Sequence, residues 1–111
     1  MNPKDFILLY ITCKNKEEAL KIGKTLVQEQ LVACANIIDS IHSIYSWKNE
    51  IVEDSESILI LKSIGLNFKS IELRIKEIHS YTNPCIVCYQ MEEGSKEYLE
   101  WIFLSVLQQG I

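Results

Sequence analysis

Residues that interrupt regular structure are scarce in this sequence. Its 111 residues include only two prolines and four glycines, and they show no low-complexity tract, internal repeat or linker. A chain of this length suits one compact domain and leaves no room for two. We therefore expect a single domain spanning residues 1–111.

Basic residues are outnumbered by acidic ones. The sequence contains 11 lysines and arginines and 15 aspartates and glutamates, which gives a net charge of −4. Proteins that bind the phosphate backbone of nucleic acids need a strongly basic surface. The charge balance therefore excludes nucleic acid as an expected partner.

Long hydrophobic segments are also missing. The longest strictly apolar run is FILLYI at 6–11, far shorter than the roughly 20 residues of a membrane-spanning helix. Asp5 precedes this run, and the charged segment at 14–21 follows it without a small-residue cleavage site, which disfavours a signal peptide. We interpret FILLYI as a strand buried on both faces and expect a cytoplasmic protein without membrane association.

Apolar residues, in contrast, make up 48% of the chain. Because a small domain has a high surface-to-volume ratio, part of this apolar surface is expected to be buried against a partner subunit. The four cysteines then need not form a disulfide scaffold, and reduced thiols are expected.

Periodic patterns predict the order of helices and strands. The Asn15 side chain can cap a helix by accepting a hydrogen bond from a backbone N–H of the first turn, and the Glu18 side chain can accept one from the backbone N–H of Asn15. Within that helix, Ala19 and Gly23 are small enough to permit close approach to a sheet. Two extended runs, at 33–47 and 51–63, surround a turn at 47–50 and predict a long hairpin with a polar outer half. A second amphipathic helix from Phe68 ends near His79, a strand covers 85–91, and Ser95 opens a terminal helix.

This β-α-β-β-α-β order with a C-terminal helix predicts an α+β, ferredoxin-like fold, with two helices on one face of a largely antiparallel sheet. The other face of such a sheet must be covered. Subunit association is the simplest way to cover it.

The cysteines and histidines leave several interpretations open. Cys85 and Cys88 form a C-x-x-C motif, but in a strand their Cα atoms would lie about 10 Å apart, beyond the roughly 7 Å that a disulfide tolerates. Buried thiols are favoured there and at Cys34. Cys13 follows the first strand and is the first candidate for a reactive thiol, although an ordinary loop thiol is equally compatible. His79 is either a helix cap or a ligand.

His42 lies among alternating strand residues and is expected at the surface or at an interface. The nearby carboxylates Glu53, Asp54 and Glu56 indicate solvated charge, with Asp54 and Glu56 on one face of the strand. No Ser-His-Asp set, phosphate loop or H-E-x-x-H motif occurs. The sequence does not indicate an enzyme.

Seven short segments, in order along nearly the whole chain, together carry a family resemblance. They are IT at 11–12, LVACANI at 31–37, S-x-Y-x-W at 43–47, Glu56, LK at 61–62, H-x-Y-x-x-P at 79–84 and YLEWI at 98–102. On these segments the sequence resembles the CutA family, which is named for divalent cation tolerance. The resemblance implies a cytoplasmic homotrimer, built like the PII signalling proteins, that binds copper or another divalent cation.

The metal ligands implied by the resemblance are only partly present. In the family, copper is bound by a cysteine just before the threonine that ends the first strand and by a His-His pair, and these positions are Ile11 and Ile78-His79 here. Only His79 matches. Cys13, two residues beyond Ile11, would project to the same side and can substitute, and Cys85 adds a soft ligand where the family has a glutamate. The expected metal ligands are therefore His79, Cys13 and Cys85.

An alternative function follows from the PII-like architecture. In that case clefts between subunits would bind a small molecule or anion and would be lined by Tyr45, Trp47, Glu56, Lys62 and Tyr81. Trp101, within the YLEWI segment, is also expected at a cleft or interface. A thiol enzyme built on Cys13 and His79 is disfavoured, because no third residue orients the pair.

Overall fold

The computed structural model of the protein describes residues 5–107 as an α+β arrangement of four strands and three helices. The elements, in chain order, are β1 (Phe6–Cys13), α1 (Lys16–Gln28), β2 (Cys34–Trp47), β3 (Glu50–Ile64), α2 (Phe68–Ile78), β4 (Ile86–Gln90) and α3 (Lys96–Ser105). The sheet order is β2-β3-β1-β4, and every neighbouring pair is antiparallel. The predicted order of elements is confirmed. Within residues 5–107, no helix has the length and apolar character needed to cross a membrane.

Helix α1 begins where the sequence predicts. The Asn15 side chain accepts a hydrogen bond from the Glu18 backbone N–H at 2.9 Å, which satisfies one free donor of the first turn. The Glu18 carboxylate, however, accepts from the N–H of Lys14 and not from that of Asn15. The cap is thus extended by one residue toward the end of β1.

Two hydrophobic clusters lie on opposite faces of the sheet. In β1 the residues Ile7, Leu9, Ile11 and Cys13 pack beneath α1 and α2. Phe6 points to the other side and packs with Leu99 and Ile102 of α3, among others. The expectation that FILLYI is buried on both faces is therefore only partly correct, because α3 covers the second face at the Phe6 end alone.

The remainder of this second face, which we call the open face, is largely apolar. Among residues 5–107, its apolar side chains are half-buried or exposed: Leu8, Tyr10, Ile38, Ile58, Ile60, Val87 and Tyr89. Apolar residues on both sides of a strand indicate that both sides are covered in the working protein.

The hairpin formed by β2 and β3 contains one irregularity. Ile38 pairs with Ile58, but the next pair is Ile41 with Glu56, so β2 has one residue more than β3 at this point. Such a β-bulge changes which side chains of a strand share a face. Beyond it, Tyr45 and Trp47 lie on the open face together with Asp54 and Glu56.

The hairpin turn is the one predicted from the sequence. Lys48 and Asn49 form a two-residue loop in which both backbones have positive φ, at 50° and 66°. This conformation matches the twist of the two strands, and Asn tolerates it better than most residues.

Gly23 lies where α1 closely approaches the sheet. A Cβ atom at this position would lie 3.1 Å from the Cβ of Ala35 and 3.3 Å from Cδ1 of Leu59. We expect Gly23→Val to lower the free energy of unfolding by about 2 kcal/mol, because the larger side chain overpacks this contact. Urea unfolding measures the change.

Lys21→Val, at an exposed position of the same helix, is the matched control. It should lower the free energy of unfolding by less than about 1 kcal/mol, because only the difference in helix propensity between lysine and valine acts there. Equal losses in the two variants would contradict the close approach at Gly23.

Candidate functional site

Three possible metal ligands converge at the end of β1. The Cys13 thiol, a carboxylate oxygen of Glu18 and a ring nitrogen of His79 all lie within 4.8 Å of one another. Cys13 is the last residue of β1, Glu18 lies in the first turn of α1, and His79 ends α2. Within the described part of the chain, this is the one group of three or more His, Cys, Asp or Glu side chains so arranged.

Both ring nitrogens of His79 have a backbone partner. Nε2 lies 2.9 Å from the carbonyl oxygen of Thr12, so Nε2 carries the hydrogen and donates it, since a carbonyl can only accept. Nδ1 accepts a hydrogen bond from the N–H of Tyr81 at 3.0 Å. The ring therefore carries a hydrogen on Nε2, and it faces β1 instead of capping the carbonyls of α2.

Glu18 binds two segments through separate oxygens. Oε1 accepts from the N–H of Lys14 at 3.0 Å, and Oε2 accepts from the N–H of Ser80 at 2.8 Å. Burial alone would raise the pKa of Glu18, but the hydrogen bonds from Lys14 and Ser80, with the field of His79, lower the pKa below its ordinary value. The spacing of Asn15 and Glu18 in the sequence predicts a helix cap. It does not indicate that the Glu18 carboxylate also lies beside Cys13 and His79.

Cys13 is fully buried at the end of β1, on the same side of the strand as Ile11. The predicted shared side is confirmed. Burial, with the charges of Glu18 and Glu56, raises the pKa of Cys13 to about 12. Cys13 thus lies in a strand and not in the loop that the sequence suggested, and its burial and raised pKa oppose reaction as a thiolate nucleophile.

A second site, which we call the cleft, lies on the open face beside the bulge. It has a volume of about 610 Å³. The residues that give it chemical character are Tyr45, Trp47, Asp54, Glu56, Tyr81 and Cys85. Four of the predicted cleft residues thus surround one cavity, together with Cys85, which does not belong to the group around Cys13. The metal-binding role of Cys85 stays a prediction.

Hydrogen bonds fix the tyrosines of the cleft to its carboxylates. The Tyr81 hydroxyl donates to Oε2 of Glu56 at 2.8 Å. Burial and this hydrogen bond raise the pKa of Tyr81, and partial burial with the charges of Asp54 and Glu56 raises the pKa of Tyr45. No lysine, arginine or histidine is among the lining residues within 5–107. The electrostatic character of the cleft is therefore acidic.

Lys62 and Trp101 were expected from the sequence at the cleft, but Lys62 lies beside α3 and Trp101 lies within it. The Lys62 ammonium is 3.2 Å from the Tyr98 hydroxyl and 5.4 Å from its ring centroid. The ring of Trp101 lies 5.5 Å from that of Tyr98. The single chain does not bring either residue to the cleft, and their role at an interface stays a prediction.

The remaining histidine and cysteines occupy simpler positions. His42 lies at the surface, 2.6 Å from Glu53 across the hairpin. All four cysteines are free. Cys85 lines the cleft while Cys88 packs on the main core, so the C-x-x-C residues face opposite sides as expected. Cys34 is half-buried and contacts the Asn36 side chain.

Comparison with known proteins identifies the family. A family model described as CutA1 divalent ion tolerance protein matches residues 7–105. The chain belongs to the CutA1 family. The predicted resemblance is confirmed.

Other CutA1 family members share both sequence and fold with this chain. The divalent-cation tolerance protein CutA of Thermus thermophilus is 42% identical over 95 residues, which cover 86% of this chain and 92% of that protein. The solved structure of CutA1 from Oryza sativa has a TM-score of 0.92 at 30% identity and covers 94% and 95% of the two chains. The structure of the periplasmic divalent cation tolerance protein CutA from Archaeoglobus fulgidus has a TM-score of 0.89 at 37% identity, with coverage of 92% and 99%. These similarities support the ferredoxin-like fold.

The lowered pKa of Glu18 predicts a pH-dependent contribution to stability. A carboxyl whose pKa is lowered in the folded state stabilises that state above its unfolded pKa, and this stabilisation is lost as the pH falls through the folded value. We expect Glu18→Gln to lower the free energy of unfolding by about 2 kcal/mol at pH 7, the contribution of hydrogen bonds to a charged group. The loss should shrink in acid, where the wild-type carboxyl is protonated.

Urea unfolding at pH 7 and at about pH 3 measures both values. Glu17→Gln, at the neighbouring exposed position, is the control and should change stability little at either pH. A Glu18→Gln loss that is independent of pH would contradict the assigned role of the carboxylate.

Proposed function

We propose that this CutA1 family protein binds a divalent transition-metal ion through Cys13, Glu18 and His79, and that this binding serves divalent-cation tolerance. The observation that supports the proposal is the convergence of three different donor atoms within 4.8 Å. We thus propose Glu18 as the third metal ligand, in place of Cys85, which was expected from the sequence.

The chemistry of the three donors fits such an ion. Imidazole nitrogen and thiolate sulfur prefer copper and zinc to magnesium and calcium, and copper is the metal we propose. A carboxylate oxygen has more than one lone pair, so Glu18 can keep its bonds to Lys14 and Ser80. Because Nε2 carries the hydrogen, His79 would have to release the N–H of Tyr81 to offer the lone pair of Nδ1.

Metal binding at this group would compete with a proton. A thiol binds metal as the thiolate, and the pKa of Cys13 is raised to about 12. Each metal bound through Cys13 therefore releases one proton, and the apparent affinity should fall about tenfold for each unit by which the pH is lowered.

We expect Cys13→Ser and His79→Gln each to weaken metal binding at least tenfold. Titration with Zn²⁺, which cannot oxidise a thiol, against a chromogenic chelator measures the affinity. Cys88→Ser removes a half-buried thiol outside the group and is the control. Circular dichroism establishes that each variant is folded.

Unchanged affinity and stoichiometry in both variants would contradict the proposal. A loss in Cys85→Ser instead would place the metal in the cleft, which Cys85 lines.

We also propose that the protein is a homotrimer, the assembly implied by the sequence resemblance. Two features support an assembly of copies. The open face leaves Val87 and Tyr89 of β4 41% and 57% exposed, and Ile44, Trp47 and Ile51 are exposed near the hairpin tip. Apolar surface of this extent is typical of a subunit interface.

We expect light scattering to give the mass of three chains for the wild type and a lower mass for Val87→Glu, because a charge buried without a partner opposes association. Leu73→Glu, at a 65% exposed position on α2, is the control and should remain a trimer. A monomeric wild-type protein would contradict the assembly.

A cytoplasmic location is part of the same proposal. It is supported by the four free cysteines, since reduced thiols persist in the cytosol.

A further inference from the structure

The three proposed metal ligands leave room for a further ligand. Zinc and copper are bound by four or more donor atoms in most protein sites, and a zinc site with three protein donors keeps a position for water or a small molecule. Cys13, Glu18 and His79 offer one donor atom each. An ion held by these three donors alone therefore keeps a position that a small molecule can fill.

A pocket lies beside this group on the side of the sheet that the helices cover, and we call it the helix-side pocket. Its volume of about 440 Å³ falls within the range of small-molecule sites, roughly 300–1,000 Å³. Its lining residues come from the start of α1 and from the ends of β1 and α2. Among the described residues, none that belongs to the open face or the hairpin tip, the surfaces proposed for subunit contacts, lines it.

The helix-side pocket and the metal-ligand group share Glu18. This residue lines the pocket and also offers a carboxylate oxygen to the group. Lys14, which directly follows Cys13 in the chain, lines the pocket, and so do the residues on both sides of His79. Each of the three proposed ligands is thus part of the lining or adjacent to it in the chain, so the pocket gives a small molecule access to an ion held there.

The charge balance of the helix-side pocket depends on whether metal is bound. Lys14 and Lys21 line it together with Glu17 and Glu18, so two ammonium groups face two carboxylates. When Glu18 binds a divalent ion, the ion offsets the charge of that carboxylate, and the two lysines then face Glu17 alone. A ligand with one negative charge restores the balance.

We propose that the helix-side pocket binds a small carboxylate anion beside the metal, with Lys14 and Lys21 holding the anion and one of its oxygens completing the coordination of the ion. The anion site rests on the metal-binding function proposed above. Carboxylate oxygen is an ordinary ligand of zinc, and the observation that supports the site is the position of Glu18 in both the pocket and the metal-ligand group. Because coupling between two sites is reciprocal, the anion should tighten metal binding by the same factor by which the metal tightens anion binding.

Acetate and acetamide are a matched pair of probes that have the same shape and differ in charge. Co²⁺ replaces Zn²⁺ in this experiment, because its visible absorption spectrum responds to changes in its ligands, whereas Zn²⁺ has a filled d shell. Titration of the Co²⁺-loaded whole chain with acetate, at constant ionic strength, should change the spectrum to saturation. Acetamide at the same concentrations should leave the spectrum unchanged.

A matched set of variants tests the location of the anion. The double variant Lys14→Gln, Lys21→Gln should weaken acetate binding at least tenfold. Lys24→Gln, at an exposed position of α1 outside the pocket lining, is the control and should bind acetate like the wild type. Saturating acetate should also tighten Zn²⁺ binding at least threefold in the wild type and in the control, and this tightening should be lost in the double variant.

A Co²⁺ spectrum that acetate leaves unchanged, or that acetate and acetamide change equally, would overturn the anion site. So would an acetate response that the double variant retains in full. If Cys13→Ser and His79→Gln still weaken Co²⁺ binding in those cases, the proposed metal site stands and the anion site alone is wrong. If neither variant weakens Co²⁺ binding, the metal site fails and the anion site fails with it.

Discussion

The carboxylate of Glu18 binds two backbone N–H groups that are far apart in the sequence. One belongs to Lys14, where the chain leaves β1, and the other to Ser80, where it leaves α2. The backbone N–H of Glu18 is itself bound to the side chain of Asn15. A single residue thus bonds to the end of one strand, the start of one helix and the exit from another. The bond to the N–H of Ser80 therefore helps to hold residues 79–81 against the start of α1.

Residues 79–81 join the two candidate sites. The His79 ring bonds to Thr12 and to the N–H of Tyr81, and the Tyr81 hydroxyl bonds to Glu56 in the cleft. One short segment therefore contributes to a metal-ligand group beneath the helices and to an acidic cavity on the open face. A movement of this segment would alter both sites together, because its hydrogen bonds connect them directly.

Local features of the fold were predictable from the sequence, and long-range ones were not. The caps at Asn15 and Ser95 and the turn at Lys48-Asn49 depend on neighbouring residues, and the sequence indicated all three. The bond from Glu18 to Ser80 spans 62 residues, and no pattern indicates it. The burial of Cys13 and the separation of Lys62 from the cleft also depend on how strands pair. The end of the second helix already pointed to His79 and the family resemblance added Tyr81, but neither indicated the carboxylate beside them.

The additional residue of β2 also determines what kinds of change the hairpin can accommodate. Substitution of Asp39 or Ser40, which lie between Ile38 and Ile41, leaves the number of residues there unchanged, so each side chain of the outer hairpin keeps its face. Removal of one of them would leave one residue of β2 opposite Ser57, so the bulge would disappear while Ile41 stayed opposite Glu56 and Tyr45 and Trp47 kept the face of Asp54. The outer hairpin can therefore keep its pairing through loss of this one residue as well as through its substitution.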